Sequence, residues 1–267
     1  MSLPVKGTQR VRHPLRLRVL EVAEVRAITP RMVRVALVGP DLEDFTSLAY
    51  DDHVKVFFPH PGKPVPVPVV SENGLAFPEG QRPPARDYTP RRFSAQALEI
   101  DFVLHGDGPA STWAAQARPG QMLAVGGPRG SFVVSNDFDW YLLAGDETAL
   151  PAIGRRLEEL PAGAKAIAVI EVADAAEEQA FALKADARIT WLHRNGAEPG
   201  TTTLLADAIG ALALPPGDGY CFVAAEANAA KAVRSLLVER FGHNPDWVKA
   251  AGYWQRLSAD FDDGHAH

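Results

Sequence analysis

The sequence predicts two domains: an N-terminal antiparallel β domain, a β-barrel or a sandwich, over residues 1–136, and a C-terminal α/β domain with a parallel sheet over residues 137–267. Three observations carry this reading. Up to Val134, apolar residues alternate in short runs broken by turn residues, which is the period of half-buried strands. Beyond Asn136, apolar runs alternate with stretches at helical spacing, the pattern of a parallel sheet with crossover helices. A chain of 267 residues is also long enough to build two cores.

The first half justifies a barrel or sandwich strand by strand. Leu15 to Val25 and Met32 to Val38 alternate, with Val33, Val35 and Leu37 on one face. In His53 to Phe58, Val54 and Val56 alternate with Lys55. Pro59 to Pro84 is rich in Pro and Gly and reads as a long loop with room for one short strand. Leu98 to Leu104 and Met122 to Val125 are further strands, and the Gly/Pro turn 126–130 leads into a short one, Ser131 to Val134. The domain boundary falls near Ser135 to Asp139.

In the second half, Trp140 to Ala144 is a strand, and Ala149, Leu150, Ile153, Leu157 and Leu160 follow helical spacing. The expectation continues with a strand at Ala166 to Val172, a helix at Ala175 to Leu183, a strand at Ile189 to Leu192 and a short helix at Thr203 to Ile209. A strand at Tyr220 to Ala224 and a helix at Ala227 to Phe241 complete it.

Composition narrows the function. The charged fraction of 22% and hydrophobic fraction of 46% are ordinary for a globular protein. A formal net charge of −6 argues against a general nucleic-acid surface. No stretch approaches the ~18 apolar residues of a membrane span, and the basic segment Met1 to Leu17 lacks the apolar core of a secretory signal. The one cysteine, Cys221, forbids an internal disulfide and suits a reducing cytoplasm. It also excludes an iron–sulfur cluster held by the chain's own thiolates. No spacing of His, Cys or carboxylates suggests a metal site.

The chemistry is concentrated in two runs. Arg86-Asp87-Tyr88-Thr89-Pro90-Arg91 sets two cations beside an aromatic and a hydroxyl. On an extended segment Arg86, Tyr88 and Pro90 share one face and Asp87, Thr89 and Arg91 the other. About one strand later comes His105-Gly106-Asp107-Gly108-Pro109-Ala110-Ser111-Thr112-Trp113, a turn of small residues opening a helix, whose exposed N–H groups suit an anion. Taken singly, the first run is also an ordinary polar strand edge, His105 a turn histidine and Trp113 a core residue. Together a ring-binding and a phosphate-binding piece suggest a dinucleotide cofactor.

The pattern Arg-x-Tyr-Thr-x-Arg, followed by Val103-Leu104-His105-Gly106-x-Gly108-Pro109-Ala110-Ser111-x-Trp113-Ala114, resembles the siderophore-interacting protein family of FAD-dependent ferric-siderophore reductases, in the ferredoxin-reductase superfamily. The resemblance runs from about Arg16 to Trp254. It implies a ferredoxin-reductase-like fold with the flavin between an FAD barrel and an NAD(P) domain. By it, Tyr88 and Thr89 contact the flavin ring, Arg91 pairs with the pyrophosphate, and Arg86 belongs to the same site. Val103, Leu104 and His105 present backbone groups and an imidazole, Ala110 and Ser111, after Pro109, cap a helix whose first N–H groups meet the pyrophosphate, and Trp113 either packs in the core or contacts the cofactor.

Gly145-Asp146-Glu147-Thr148 then resembles the family's nicotinamide-side loop, and Glu226 its nicotinamide-facing glutamate, with Ala225 where the family carries glycine. A Gly-x-Gly-x-x-Gly fingerprint is absent. Arg194, after a strand, is expected to hold the 2′-phosphate of NADPH, the alternative being a solvent-facing basic pair with His193. Lys249, Tyr253, Trp254 and Arg256 form the expected substrate end, although Gln255 and Leu257 depart from the family pattern. The implied reaction passes electrons from NADPH or NADH through FAD to a ferric siderophore, with a ferredoxin as a further candidate donor and a monomer as the expected state. A general NAD(P)H:flavin or ferredoxin-type reductase, and a non-catalytic flavoprotein that carries siderophore, are the alternatives.

Overall fold

The structure, a computed structural model, describes residues 6–60, 65, 69–71, 74–77, 82–106, 108–256 and 258. The described residues fold into two compact units, one within residues 8–133 and the other from residue 134 onward together with residues 6 and 7.

The first unit is built on antiparallel strands. They are β1 (Thr8–Arg12), β2 (Leu17–Thr29), β3 (Met32–Val38), β4 (Val54–Phe57), β5 (Val69–Ser71), β6 (Gly74–Ala76), β7 (Ala85–Tyr88), β8 (Pro90–Phe93), β9 (Leu98–Val103), β10 (Met122–Gly126) and β11 (Gly130–Val134), with helix α1 (Pro109–Ala115) after β9. Seven strands form one sheet in the order β7-β4-β10-β2-β3-β9-β8. Its two edge strands, β7 and β8, are neighbours in sequence, joined only by Thr89. A sheet whose two edges are one residue apart must curl back on itself, so the barrel is closed by the chain rather than by a ladder of hydrogen bonds. Alternation decides the faces. Leu98, Ile100 and Phe102 join Leu20, Val35, Leu37, Val54, Val56, Leu123 and Val125 in the core. On the opposite face Asp101 accepts from Arg34 Nε at 2.6 Å and Nη2 at 2.8 Å.

The second unit holds the parallel strands β12 (Trp140–Asp146), β13 (Lys165–Val172), β14 (Asp186–His193), β15 (Gly219–Glu226) and β16 (Val248–Trp254). They form one sheet in the order β14-β13-β12-β15-β16. Helices α2 (Leu150–Glu159), α3 (Leu204–Gly210) and α4 (Ala227–Ser235) lie between them in the chain. The chain begins at the centre of the sheet with β12, builds outward to β14, and then returns to the other side of β12. The reversal between β12 and β15 is a topological switch point, where open α/β sheets take their ligands.

Three elements differ from their expected form. The helix at Ala175 to Leu183 is a single 3-10 turn, Ala175–Glu177, capped by Asp174. Beyond it the chain is pinned to the sheet edge: Phe181 stacks on Trp191 with centroids 6.3 Å apart, and Glu178 meets His193 at 2.8 Å. Tertiary contact overrides the helix propensity of this alanine-rich run. The last helix changes to a π turn over Leu236–Arg240. Val248–Trp254, read only as part of the substrate end, is the outer strand of the parallel sheet. Of the Pro/Gly-rich loop, parts lie outside the described residues, and β5 pairs with β6 as a short hairpin within it.

Candidate functional site

In the first unit the two motif runs are drawn together by aromatic packing. Tyr88, at the end of β7, sits with its ring centroid 4.4 Å from Phe102 and 6.2 Å from Phe58. Trp113, on α1, lies 5.5 Å from Phe102 and 5.8 Å from Phe58. The same two rings therefore hold the barrel seam and the helix, and Trp113 is a packing residue with part of its surface open. Burial pushes the Tyr88 phenol well above its ordinary range, opposed only by the nearby Arg86 cation, so the hydroxyl stays protonated and can donate.

The two arginines of the seam differ. Arg86 is half-buried at the rim, with Nη1 donating to Ala85 O at 2.7 Å. Arg91 is 3% exposed, and its Nε lies 3.9 Å from Asp101 Oδ2, beside the Arg34 pair. Thr89, between them, is buried.

The turn before α1 is equally specific. Leu104 N donates to Arg31 O at 2.7 Å, and His105 N donates to Ser111 Oγ at 2.9 Å. The backbone donors expected of Leu104 and His105 are thus spent within the chain, while the His105 side chain is exposed. Val103 pairs with Met32 at the end of β9. Gly108, not Ala110 or Ser111, is the N-cap of α1, and Pro109 stands at its first position. Ser111 lies inside the first turn and fastens the turn that precedes it. Helix geometry leaves the N–H groups of Ala110 and Ser111 without an intrahelical acceptor. A half-buried aromatic rim, a rim guanidinium and a helix start with small side chains fit a flavin dinucleotide by donor chemistry and by shape.

In the second unit the predicted residues gather at the carboxyl ends of the strands. Gly145 is required there: a Cβ would collide with the Ala224 carbonyl oxygen and lie 2.6 Å from Ala149 Cβ. Asp146 is 6% exposed and saturated. Its Oδ1 accepts from Thr148 N at 2.9 Å and Thr148 Oγ1 at 2.5 Å, and its Oδ2 from Glu226 N at 3.0 Å and Trp254 Nε1 at 2.8 Å. Desolvation, with help from the Glu147 charge, raises its pKa to about 6 against the hydrogen bonds from Thr148 and Trp254. Asp146 thus ties the ends of β12, β15 and β16 together. Glu226 turns back on α4, where Oε2 accepts from Asn228 N at 2.7 Å and Ala229 N at 3.2 Å. Gly200, with φ +70, crosses above it, where a Cβ would meet Glu226 Cγ at 2.9 Å and the Trp254 ring at 3.0 Å.

Arg194 is not the solvent-facing residue of the alternative reading: its side chain is 2% exposed. It donates from Nη2 to Glu147 Oε1 at 2.5 Å and from Nη1 to Glu147 Oε2 at 2.7 Å, with Glu171 Oε1 at 3.5 Å from Nη1. Glu171 in turn accepts from Thr202 Oγ1 at 2.9 Å. Sequence reasoning missed Glu171 and Thr202, although a carboxylate near the end of the apolar run Ala166–Val172 is a readable signal. At the expected substrate end, Lys249 and Tyr253 are half-buried on β16 and Arg256 is exposed beyond it. Among the described residues no group of three or more His, Cys, Asp and Glu is placed to hold a metal ion.

Comparison with known proteins follows the same division. A family model described as siderophore-interacting FAD-binding domain matches residues 21–132, and one described as siderophore-interacting protein matches residues 138–257. The chain is 40% identical over 250 residues to the NADPH-dependent ferric-chelate reductase of Escherichia coli, covering 92% of this chain and 96% of that protein. It is 34% identical over 247 residues to the ferric vibriobactin reductase ViuB of Vibrio cholerae, covering 90% of this chain and 89% of that one. The crystal structure of a siderophore utilization protein from T. fusca superposes with a TM-score of 0.91 at 46% identity, covering 97% of this chain and 100% of that chain. A distant likeness to the Amycolatopsis cytochrome P450 reductase GcoB, with a TM-score of 0.65 at 18% identity over 93% of this chain and 72% of that one, shows the ferredoxin-reductase-like fold alone.

Proposed function

The chain belongs to the siderophore-interacting protein family, and from that premise we propose that it is an FAD-dependent oxidoreductase that takes electrons from NADPH or NADH and reduces ferric siderophores, releasing iron as Fe(II). The observation that carries the reading is the 40% identity to a ferric-chelate reductase across 92% of the chain. The donor chemistry supports it. The rim of Tyr88 and Arg86 and the first turn of α1 would hold the flavin ring and its phosphates, and the strand ends around Gly145 and Glu226 would receive the nicotinamide donor.

FAD, when bound, accepts two electrons together and passes them on singly, which matches a two-electron donor to a one-electron acceptor. The iron is substrate. Hard anionic oxygens hold Fe(III) through its charge, and one added electron weakens that attraction, so protons compete for the ligand and the metal leaves. The protein need only bring the chelate within reach of the electron. Lys249, Tyr253, Trp254 and Arg256 are the proposed contacts for it. A ferredoxin as alternative donor, a monomeric state and a cytoplasmic location complete the proposal, the last supported by a lone, buried cysteine.

The test is anaerobic. The FAD-loaded protein should bleach on mixing with NADH or NADPH, and recover colour when a ferric catecholate is added, with Fe(II) appearing in a ferrous-specific trap. Bleaching followed by recovery only with free flavin or a ferredoxin would favour the general-reductase reading. Siderophore binding without bleaching by either nicotinamide would leave a carrier.

A further inference from the structure

The carboxyl ends of β12, β13 and β14 are joined by a chain of charges that the proposed reaction does not explain. Glu147 follows β12, Glu171 stands near the end of β13, and Arg194 follows β14. Glu147 meets Arg194 with two parallel bonds, the geometry in which a guanidinium is most fully occupied by one carboxylate. Glu171 approaches the same guanidinium and is braced by Thr202. Arg194 Nε is left buried with no hydrogen-bond partner, so carboxylates alone fix the group. The pair is buried on one side and nearly so on the other, with 2% of the Arg194 side chain and 17% of Glu147 exposed.

Position gives this chain its meaning. In parallel sheets of this kind a carboxylate near the end of the second strand suits the ribose 2′-hydroxyl of NADH, while an arginine nearby suits the 2′-phosphate of NADPH. Here both residue types are present, and the carboxylates hold the arginine. A 2′-phosphate arriving at this edge would find a guanidinium already neutralised, with Glu147 and Glu171 beside it. To be bound, it would have to displace Glu147 and leave that carboxylate unpaired. A ribose hydroxyl needs no such exchange.

We propose that Glu147 is a specificity-determining residue, which by sequestering Arg194 biases the chain toward the nicotinamide donor that lacks a 2′-phosphate. The proposal rests on the reading of the chain as a nicotinamide-dependent reductase and assigns the donor class within it. Glu147 acts through Arg194 and is a positioning residue.

The test separates binding from turnover. ADP-ribose and 2′-phospho-ADP-ribose are titrated calorimetrically into the FAD-loaded wild type, Glu147→Gln, Glu147→Asp and the double variant Glu147→Gln with Arg194→Ala, and flavin bleaching by NADH and NADPH is followed in parallel. The wild type should bind ADP-ribose more tightly. Glu147→Gln should shift the ratio toward the 2′-phosphate by about tenfold or more, the worth of a charge-assisted contact released to the ligand. Glu147→Asp, which keeps the charge, should shift it less, and the double variant should lose the gain. A purely structural role would lower the melting temperature without moving the ratio. Tighter binding of the 2′-phosphate by the wild type overturns the proposal whatever the variants do, as does an unchanged ratio in a folded Glu147→Gln. If both nicotinamides bleach the flavin but the ratios fail, only this inference falls. If neither bleaches it, the reductase reading falls and takes this one with it.

Discussion

Asp146 shows how a single buried side chain can report on its surroundings. Its folded pKa of about 6 lies above the ordinary 3.8, so between those values the folded state binds more protons than the unfolded one. Its contribution to stability is therefore present at low pH and lost as pH rises from 3.8 to about 6. Asp146→Asn should remove that component, seen as a pH profile of thermal unfolding that is flatter for the variant than for the wild type over that range. The variant should also be less stable by about 1–3 kcal/mol, because either amide orientation points an NH₂ at a backbone N–H. A profile that runs parallel to the wild type's would show that Asp146 does not titrate there. The two seam arginines give a second prediction. Arg86→Ala should weaken FAD binding roughly tenfold to 150-fold, the range of a charge-assisted phosphate contact of about 1.5–3 kcal/mol. Arg91→Ala should instead lower the melting temperature and leave the FAD dissociation constant of the folded protein nearly unchanged. Reversed results would return the pyrophosphate to Arg91. Residue types were legible in the sequence, since Tyr88, Thr89 and both arginines were named from their spacing. Which arginine the fold buries was not, because Asp101, which lies 3.9 Å from Arg91 Nε, is on another strand, and it is the register of β3 against β9 that pairs it with Arg34.

At the scale of elements, the sheet order depends on how closely β12 and β15 approach. Gly145→Ala drives a methyl group into a backbone carbonyl, which cannot rotate away. Overpacking of this kind costs about 1–3 kcal/mol or more, and here it should separate the strand ends that Asp146 joins. Loss of nucleotide binding with FAD content retained is the expected result, read by calorimetry and by the flavin spectrum. Wild-type nucleotide affinity in this variant would mean that the close approach is dispensable. Periodicity revealed most strands and the helices α2 and α4, because each buries one regular face. It failed at Ala175 to Leu183, where helix-forming residues are held irregular by Phe181 against Trp191. It also passed over β16, whose small and polar residues carry little alternation.

Over the whole molecule, a net charge of −6 repels anions at long range, so any attraction for an anionic ferric catecholate must be local. If Lys249 and Arg256 supply it, turnover of a catecholate should fall with salt more steeply than that of a neutral hydroxamate, since exposed charges are screened over about 10 Å at 0.1 M. Lys249→Glu with Arg256→Glu should raise the apparent KM for the catecholate and leave flavin reduction by nicotinamide intact. Equal salt slopes for both chelates, together with an unaltered double variant, would exclude the patch. The chain path itself has an engineering meaning. Lys6 reaches Asp139 at 2.9 Å and Asp218 at 2.8 Å, and Ser135 N donates to Gly7 O at 3.0 Å, so the segments on either side of residues 8–133 are fastened to one unit. The intervening unit begins on β1 and ends on β11, which are hydrogen-bonded neighbours. It is thus a cassette with its entrance and exit side by side. Two splice points a strand's width apart would let residues 8–133 be exchanged as a block between relatives, transplanting flavin affinity while the host's choice of electron donor stays where it was.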